Sequence, residues 1–356
     1  MGASSPAHAS GRRAISPALA AGAGGWGAGS VSSRLEEPTA DSPHVSVFPD
    51  EVLSHLLPAV GLGGGWFLDG TLGAGGHTRL LLEASPEARV LGLDRDPDAV
   101  ELARARLGAF GSRVRVVHAP FAEAPAAVAA QELGPLAGAL LDLGVSSMQL
   151  DRPERGFAFR HDGPLDMRMD PSRGETAAEL LQRVDEDALR RLIRTLGEER
   201  YARRIAQGIV AARERGAPLD RTAELAELVA AQVPRPRPGQ RQRIHPATLT
   251  FQALRLAVNG ELEQLEAGLR AICELLAPGG RVAVIAFHSL EDRIVKQAFR
   301  AGKRGGGLKV LTKRPLRPGE AEVAANPRAR SAKLRVAERT AAALKWLDEE
   351  PEQPWY

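Results

Sequence analysis

Between residues 66 and 145, short apolar runs alternate with stretches in which apolar residues recur at helical spacing. The apolar runs predict four β-strands, at 66–69, 89–94, 114–118 and 138–142. The stretches between them predict helices at 77–84, 97–107 and 122–132. Strands joined by helices of this length need crossover connections, which build a parallel sheet with helices on both faces. This part of the chain is therefore predicted to be α/β.

Residues 175–233 show helical spacing alone. Apolar residues recur every three or four positions in three groups, of which two end before Gly197 and Gly216 and the third begins after Thr222. Threonine is a residue type that caps helix N-termini, so we expect Thr222 to cap the third helix. Sheet-like segments return later in the chain, so this stretch is predicted to be an inserted helical domain.

The pattern after residue 246 resumes the sheet. It predicts helices at 247–258 and 261–276, a turn at 277–280, a buried strand at 281–287 and closing strands at 309–313 and 332–337. The predicted organisation is an α/β domain in two parts, 44–150 and 246–345, with an all-helical domain inserted at 151–245.

Both chain ends and one internal loop lack an apolar period. Residues 1–43 are rich in alanine, glycine, serine and proline, and we predict that they and the tail 346–356 are disordered. Residues 234–243 combine proline with arginine, which cannot form a helix interior and predicts an extended loop. That loop is either a plain linker or a contact to an RNA backbone.

Composition narrows the class of protein. Cys273 is the sole cysteine, which excludes an intramolecular disulfide and a cysteine-ligated zinc site and favours a cytoplasmic protein. Its apolar surroundings favour a core residue over a nucleophile. Since no apolar run approaches the ~20 residues of a membrane helix, we expect no membrane association. The formal charge of +3 and the pI of about 9.3 permit a nucleic-acid partner without requiring one.

A glycine-rich turn follows the first predicted strand. The strand ends at Asp69 and runs into Gly70-Thr-Leu-Gly-Ala-Gly-Gly-His77, where glycines let the backbone approach a ligand that a Cβ atom would exclude. The next strand ends at Asp94, placed to accept hydrogen bonds from both hydroxyls of a ribose. Thr78 stands where a dinucleotide-binding turn has its third glycine, so the pattern fits NAD less well. The turn is structural or, together with Asp94, binds an adenosine-bearing cofactor.

The fourth strand ends at Asp142, within Leu140-Leu-Asp-Leu-Gly-Val-Ser-Ser-Met-Gln-Leu150. In a parallel sheet this strand end lies beside the first one, at the switch point where ligands bind. Asp142 is therefore a candidate for the reaction centre, and its alternative role is to cap a turn or a helix.

Eight sequence blocks between residues 44 and 340 are distinctive in composition and order. They are Asp69-Gly-Thr-x-Gly-x-Gly-Gly-His77, Asp94-Arg-Asp-Pro97, Leu141-Asp-Leu-Gly-Val-Ser-Ser147 with Gln149-Leu-Asp151, Arg155-Gly-Phe157, Gly163-Pro-Leu-Asp-Met-Arg-Met-Asp170, Gly197-Glu-Glu-Arg200, Phe287-His-Ser-Leu-Glu-Asp-Arg293 and Asn326-Pro-Arg-Ala-Arg-Ser331. In this order they resemble the ribosomal small-subunit methyltransferase H family, also called MraW. Met148 departs from the proline common there, and the segment 301–310 is shorter than in relatives.

The resemblance implies a class I methyltransferase fold, Rossmann-like, with a mostly parallel seven-stranded sheet, an inserted helical domain and S-adenosylmethionine as methyl donor. It implies methylation of the exocyclic N4 amine of cytosine 1402 in 16S rRNA of the small ribosomal subunit. It further implies that the cofactor is bound by Gly75, Gly76, His77, Asp94, Phe121, Asp142 and Gln149, without a metal. From its position alone, the alternative role of Phe121 is packing in the core.

Cytosine N4 is a weak nucleophile, because its lone pair is delocalised into the ring. The enzyme must align N4 with the methyl group, and a carboxylate that accepts an N4–H bond would help as positive charge develops. Asp142 is the candidate for this catalytic role. His288 contacts the base or caps a helix, and Asp166, Arg168 and Asp170 bind RNA or form an ion-pair cluster. The arginines of 190–215 are phosphate contacts or an ordinary solvated face.

Two other functions fit parts of the sequence. The first is a methyltransferase that acts on DNA, protein or a small molecule, although the Asn/Asp/Ser-Pro-Pro-aromatic turn of DNA amino-methyltransferases is replaced here by Asp142-Leu-Gly-Val-Ser-Ser. The second is a noncatalytic RNA-binding or ribosome-assembly factor that keeps the fold without the cofactor. Binding of S-adenosylhomocysteine separates the second from an enzyme.

Overall fold

The computed structural model describes residues 46–234 and 244–348. The predictions for residues 1–43, for most of the arginine- and proline-rich loop and for residues 349–356 lie outside the described residues. The predicted disordered tail starts too early, because Trp346 and Asp348 are held in place. The Trp346 indole nitrogen donates to Glu274 at 2.8 Å, and Arg270 donates to Asp348 at 2.9 Å.

Seven strands form one sheet. They are β1 (Trp66–Asp69), β2 (Arg89–Asp94), β3 (Val114–His118), β4 (Leu136–Asp142), β5 (Leu276–Ala286), β6 (Leu308–Val310) and β7 (Lys333–Arg339). Their spatial order is β3-β2-β1-β4-β5-β7-β6. Strands β1 to β5 are parallel, and β7 is antiparallel to both β5 and β6. The predicted mostly parallel, seven-stranded α/β sheet is confirmed.

The pairing of β4 with β5 differs from the prediction. The predicted turn at 277–280 lies inside β5, because Leu276 already pairs with Leu136 before the register moves to Gly138 and Arg281. The extra residues of β5 bulge between these pairs, with Gly279 at φ +85°. At its other end β5 stops at Ala286, so Phe287 lies beyond the strand instead of within it.

The described residues form thirteen α-helices, some packed on the sheet and others in the helical region. They are α1 (Pro49–Leu56), α2 (Gly76–Ala84), α3 (Pro97–Leu107), α4 (Ala124–Ala130), α5 (Ser147–Asp151), α6 (Ala177–Arg183), α7 (Glu186–Leu196), α8 (Ala202–Glu214), α9 (Thr222–Gln232), α10 (Thr248–Asn259), α11 (Glu261–Leu275), α12 (Ser289–Arg304) and α13 (Glu320–Ala325). The helices predicted between the strands are confirmed. No helix of the described ranges has the length and apolar character needed to span a membrane.

Alternating strand residues build an apolar core on each face of the sheet. Leu68 and Leu141 pack with α4, α11 and α12 on one face, where Cys273 is completely buried. Phe67 and Ile285 pack with α1 and α2 on the other face. The burial of Cys273 and a thiol pKa raised to about 12 by that burial fit the core role expected from the sequence.

Helices α6 to α10 share a third apolar core, which includes one side chain from each of the three predicted helical groups, namely Leu189, Ile205 and Leu225. Treating this region as an inserted domain with boundaries at 151 and 245 stays a prediction. The expected cap of α9 is wrong. Arg221 holds the N-cap position, and the Thr222 hydroxyl instead accepts a 3.0 Å hydrogen bond from the Gly163 amide.

A buried ion pair connects the carboxyl end of β2 with the segment leading into the helical region. The Arg155 guanidinium donates to Asp96 at 2.9 Å and to the Met169 carbonyl at 2.9 Å. Asp96 also caps α3 and accepts from the Gln149 amide at 2.8 Å. Asp96 and Arg155 are 0% and 8% exposed, so their charges are compensated mainly by each other and by these hydrogen bonds.

Candidate active site

A cavity of about 470 Å³ opens at the carboxyl ends of β1, β2, β4 and β5. Because β1 and β4 are neighbours whose chain connections leave in opposite directions, this is the switch point at which open α/β sheets bind ligands. The cavity is lined by six of the seven residues expected at the cofactor, namely Gly76, His77, Asp94, Phe121, Asp142 and Gln149. Gly75 is not among the lining residues.

The glycine turn after β1 is held from inside by Asp69. This buried carboxylate accepts hydrogen bonds from the Thr78 hydroxyl at 2.7 Å and from the Thr71 amide at 3.3 Å. Gly73 has φ +52°, and a Cβ atom built on it would meet no protein atom within 4 Å. Gly75 has φ +81° and faces Leu107 of α3, whose side chain would lie 2.8 Å from such a Cβ. Gly73 therefore leaves space at the cavity, whereas the missing side chain of Gly75 allows the start of α2 to pack against α3.

Asp94 is engaged on both of its oxygens. Oδ2 accepts from the Gly73 amide at 2.7 Å, and Oδ1 accepts from the Asp96 amide at 2.9 Å. Burial raises the pKa of Asp94 to about 6, and the neighbouring carboxylates of Asp96 and Asp69 add to the rise. The sequence predicted that Asp94 would serve a ribose. The structure gives it the further task of fixing the glycine turn.

Asp142 and His77 face each other in the cavity with unused polar atoms. His77 Nε2 lies 3.7 Å from Asp142 Oδ2, and both side chains are largely buried. Within the described chain, His77 Nε2 and Asp142 Oδ1 have no hydrogen-bond partner. The Asp142 amide donates to the Thr71 hydroxyl at 2.6 Å, which fixes its backbone. Asp142 does not cap α5, because Ser146 does so.

Gln149 and Phe121 also line the cavity. The Gln149 carboxamide accepts from the Ser146 amide at 3.0 Å and donates to Asp96 at 2.8 Å, so it stabilises the loop after β4. The half-buried Phe121 ring packs against the face of α11, where a Cβ on Gly268 would lie 2.7 Å from it. Phe121 thus contributes to the core and to the cavity wall at once.

Several cavity residues were not predicted from the sequence. They include Arg160, Phe287, Glu291 and Arg328. Glu291 accepts from the amides of Phe287 at 2.8 Å and His288 at 3.2 Å. Burial opposes its ionisation, but His288, Arg255 and these hydrogen bonds outweigh burial and lower the Glu291 pKa. His288 and Glu291 have the spacing of a helix-capping box. This spacing was the sequence signal that could have located Glu291.

The structure also bears on the alternative roles predicted for His288, for the Asp166–Arg168 pair and for Asp170. His288 is the N-cap of α12, with Nδ1 accepting from the Glu291 amide at 3.4 Å, and it is absent from the cavity lining. Arg168 donates to Asp166 through two nitrogens at 2.7 and 2.8 Å, and Asp170 accepts from the Ser172 hydroxyl at 2.6 Å. These contacts fit the structural roles of capping and ion pairing.

Comparison with known proteins gives a family. The model of the MraW methylase family matches residues 41–340. The ribosomal RNA small subunit methyltransferase H of Geobacter sp. (strain M21) is 50% identical over 315 residues, covering 84% of this chain and 99% of that protein. The protein of that name from Synechococcus elongatus is 52% identical over 297 residues, covering 83% and 94%. A crystal structure of a putative rRNA-methylase from Clostridium thermocellum matches with a TM-score of 0.41 and 12% identity, covering 84% and 99%.

Proposed function

Because the chain belongs to the MraW methylase family, we propose that it transfers the methyl group of S-adenosylmethionine to 16S rRNA, at the exocyclic N4 amine of cytosine 1402. The sheet order and the methylase family identify the fold as the class I methyltransferase fold, with S-adenosylmethionine as its cofactor. The relatives whose names specify small-subunit ribosomal RNA are about half identical to this chain along nearly their whole length, which supports the same substrate here.

The cavity residues fit this cofactor. Gly73 leaves room for a ligand to approach the backbone, and the Phe121 ring offers an apolar wall for an adenine. Asp94 lies at the end of β2, where a ribose is bound in such folds. The carboxylates of Asp94 and Asp142 bring negative charge to the cavity, which favours a sulfonium cation.

The bound cofactor supplies an electrophilic methyl group on a positively charged sulfur. The task of the protein is to hold an amine nitrogen in line with that methyl group, since a well-oriented approach contributes several kcal/mol, on the order of 7–11 at best. Asp142 Oδ1 is a buried acceptor without a partner in the described chain. An N4–H bond to this oxygen orients the amine and stabilises the positive charge that develops on nitrogen.

The observation that carries the proposal is this unpaired Asp142 oxygen in a methylase-family cavity. A buried carboxylate oxygen without a donor is costly, and an amine substrate supplies the missing N–H group. After methyl transfer the nitrogen is much more acidic than before, so its proton can leave to water without a strong base. The proposed chemistry therefore requires a hydrogen-bond acceptor for the amine and a cytosine that is aligned with the methyl group. The cavity can provide both.

The activity is tested on purified small ribosomal subunits incubated with the protein and methyl-labelled S-adenosylmethionine. Nucleoside mass spectrometry of the recovered 16S rRNA is expected to show N4-methylcytidine, and mapping of the label is expected to place it at cytosine 1402. Label on a ring carbon, on a ribose or on ribosomal protein would contradict the proposal. Binding to subunits without label transfer, and without calorimetric heat from S-adenosylhomocysteine, would instead indicate a noncatalytic assembly factor.

Cofactor binding is expected to weaken in acid because of Asp94. With its pKa at about 6, Asp94 is ionised at pH 7 and mostly protonated at pH 5, where it can no longer accept both the turn amides and a ribose hydroxyl. If the ionised form binds, the Kd for S-adenosylhomocysteine rises about tenfold between pH 7 and pH 5. Calorimetric titrations across this range measure the change.

The control for this titration is Asp94→Asn. The variant should bind weakly at pH 7 and lose the step centred near pH 6, since it lacks the titrating group. A wild-type Kd that stays constant from pH 7 to pH 5 would show that Asp94 ionisation is not coupled to cofactor binding.

A further inference from the structure

Phe287 places an aromatic ring in the cavity next to Asp142. Asp142 pairs with Ile285 in the sheet, and the Leu143 amide donates to the Ile285 carbonyl at 2.9 Å, so the segments after β4 and β5 leave the sheet side by side. Phe287 follows two residues after Ile285 and packs on the same apolar cluster. Both Asp142 and Phe287 line the cavity.

Gly144 brings the loop after β4 against this ring. It has φ +98°, and a Cβ built on it would lie 3.5 Å from the Phe287 ring. The loop itself, Leu143-Gly-Val-Ser-Ser147, contains no aromatic residue. Phe287 therefore stands beside the reaction-centre loop, although it follows the neighbouring strand. Phe287 is half-buried and belongs to the lining of the cavity.

Phe121 and Phe287 are the phenylalanines that line the cavity within residues 46–234 and 244–348. Phe121 follows β3 and packs against α11, whereas Phe287 follows β5. The sheet order puts β2, β1 and β4 between these two strands, so the rings stand at different sides of the cavity. The proposed reaction brings two heterocycles into this space, the adenine of the cofactor and the target base. Each heterocycle can stack on one of the two phenylalanine rings.

We propose that Phe287 stacks on the target base and holds it with its amine directed at Asp142. A base must leave its helical stack to reach such a cavity, and enzymes bind extruded bases by stacking together with hydrogen bonds to the base edge. Stacking fixes the plane of the base, and the Asp142 oxygen fixes its rotation within that plane. Phe287 is thus a positioning residue for the base. This role rests on the proposed RNA substrate.

The alternative role for Phe287 is packing beneath Gly144, and two substitutions separate the roles. Phe287→Leu keeps an apolar side chain but has no aromatic face, whereas Phe287→Tyr keeps the face and adds a hydroxyl. If the ring stacks on the base, kcat/KM for small subunits falls about 10- to 100-fold in the leucine variant and stays within a few-fold of wild type in the tyrosine variant. The Kd for S-adenosylhomocysteine stays within twofold in both.

The matched control is Phe110→Leu, since Phe110 is a half-buried phenylalanine that packs on the same apolar cluster but does not line the cavity. It should leave kcat/KM near the wild-type value. A leucine variant at 287 as active as wild type overturns the stacking role while the methyltransferase proposal stands. Loss of activity in the tyrosine variant with unchanged cofactor affinity also overturns it. Failure of the wild-type protein to form N4-methylcytidine overturns the proposed function itself.

Discussion

Asp142→Ala is expected to lower kcat for methylation of small subunits by about 10²- to 10³-fold, the range found when one preorganised polar group is removed from a reaction centre. The Oδ1 atom, which is unpaired among residues 46–234 and 244–348, is the acceptor that we assign to the reacting amine, and alanine leaves that amine without orientation or charge stabilisation. Asp142→Asn should lose less, because an amide oxygen can still accept the hydrogen bond. Single-turnover methylation with saturating cofactor measures the chemical step directly.

The control for Asp142→Ala is Glu87→Ala, which removes an exposed carboxylate just before β2, at the end of the sheet opposite the cavity. It should leave single-turnover methylation unchanged. Because Asp142 is also expected at the cofactor, the Kd for S-adenosylhomocysteine is measured in parallel. A variant with normal chemistry and weakened cofactor binding would assign Asp142 to the cofactor alone and contradict its catalytic role.

Arg155→Ala is expected to destabilise the protein by about 3–5 kcal/mol, because it leaves the buried Asp96 carboxylate without its cationic partner. The same change removes the hydrogen bond to the Met169 carbonyl, which joins the segment after α5 to the segment before α6. Urea unfolding followed by circular dichroism gives the free energy of unfolding. Such a loss approaches half the stability of a typical domain, about 5–15 kcal/mol.

Arg152→Ala provides the matched control for Arg155→Ala. Arg152 donates to Asp98 at 2.7 Å, but both side chains are close to half exposed, so the ion pair contributes at most about 1 kcal/mol. A double variant, Asp96→Ala with Arg155→Ala, should lose less stability than the two single changes added together, since neither charge is then buried alone. An Arg155→Ala protein within 1 kcal/mol of wild type would show that Asp96 is adequately stabilised by Gln149 and the α3 amides.

The strands and the ends at Asp69, Asp94 and Asp142 could be predicted from the sequence, because apolar runs are local and parallel strands end at a common edge. The path of β5 could not. Its bulge arises because Leu276 finds a partner in Leu136, far away in the sequence, and this pairing overrides the local turn signal of proline and glycine.

The placement of site residues could be predicted from the sequence only where the position of the backbone alone determines it. Gly75 belongs to the right motif, yet its orientation is set by Leu107, a residue of another helix. Thr222 has the type of a helix cap, but its hydroxyl serves the distant Gly163 amide. Arg155 and Asp96 lie 59 residues apart and show no common pattern. Phe287 was placed inside a strand, and its exposure in the cavity follows from where β5 ends.

Strands β4 and β5 are neighbours in the sheet, but the ribosome synthesises β4 well before β5. Helices α5 to α11 separate these two neighbours along the chain, so a ribosome that adds about 5–20 residues per second synthesises β5 on the order of ten seconds after β4. During that interval β4, apolar on both faces, has β1 on one side and a bare edge on the other. Bare strand edges recruit other chains, so the nascent polypeptide is most vulnerable to aggregation while its helical region is being translated.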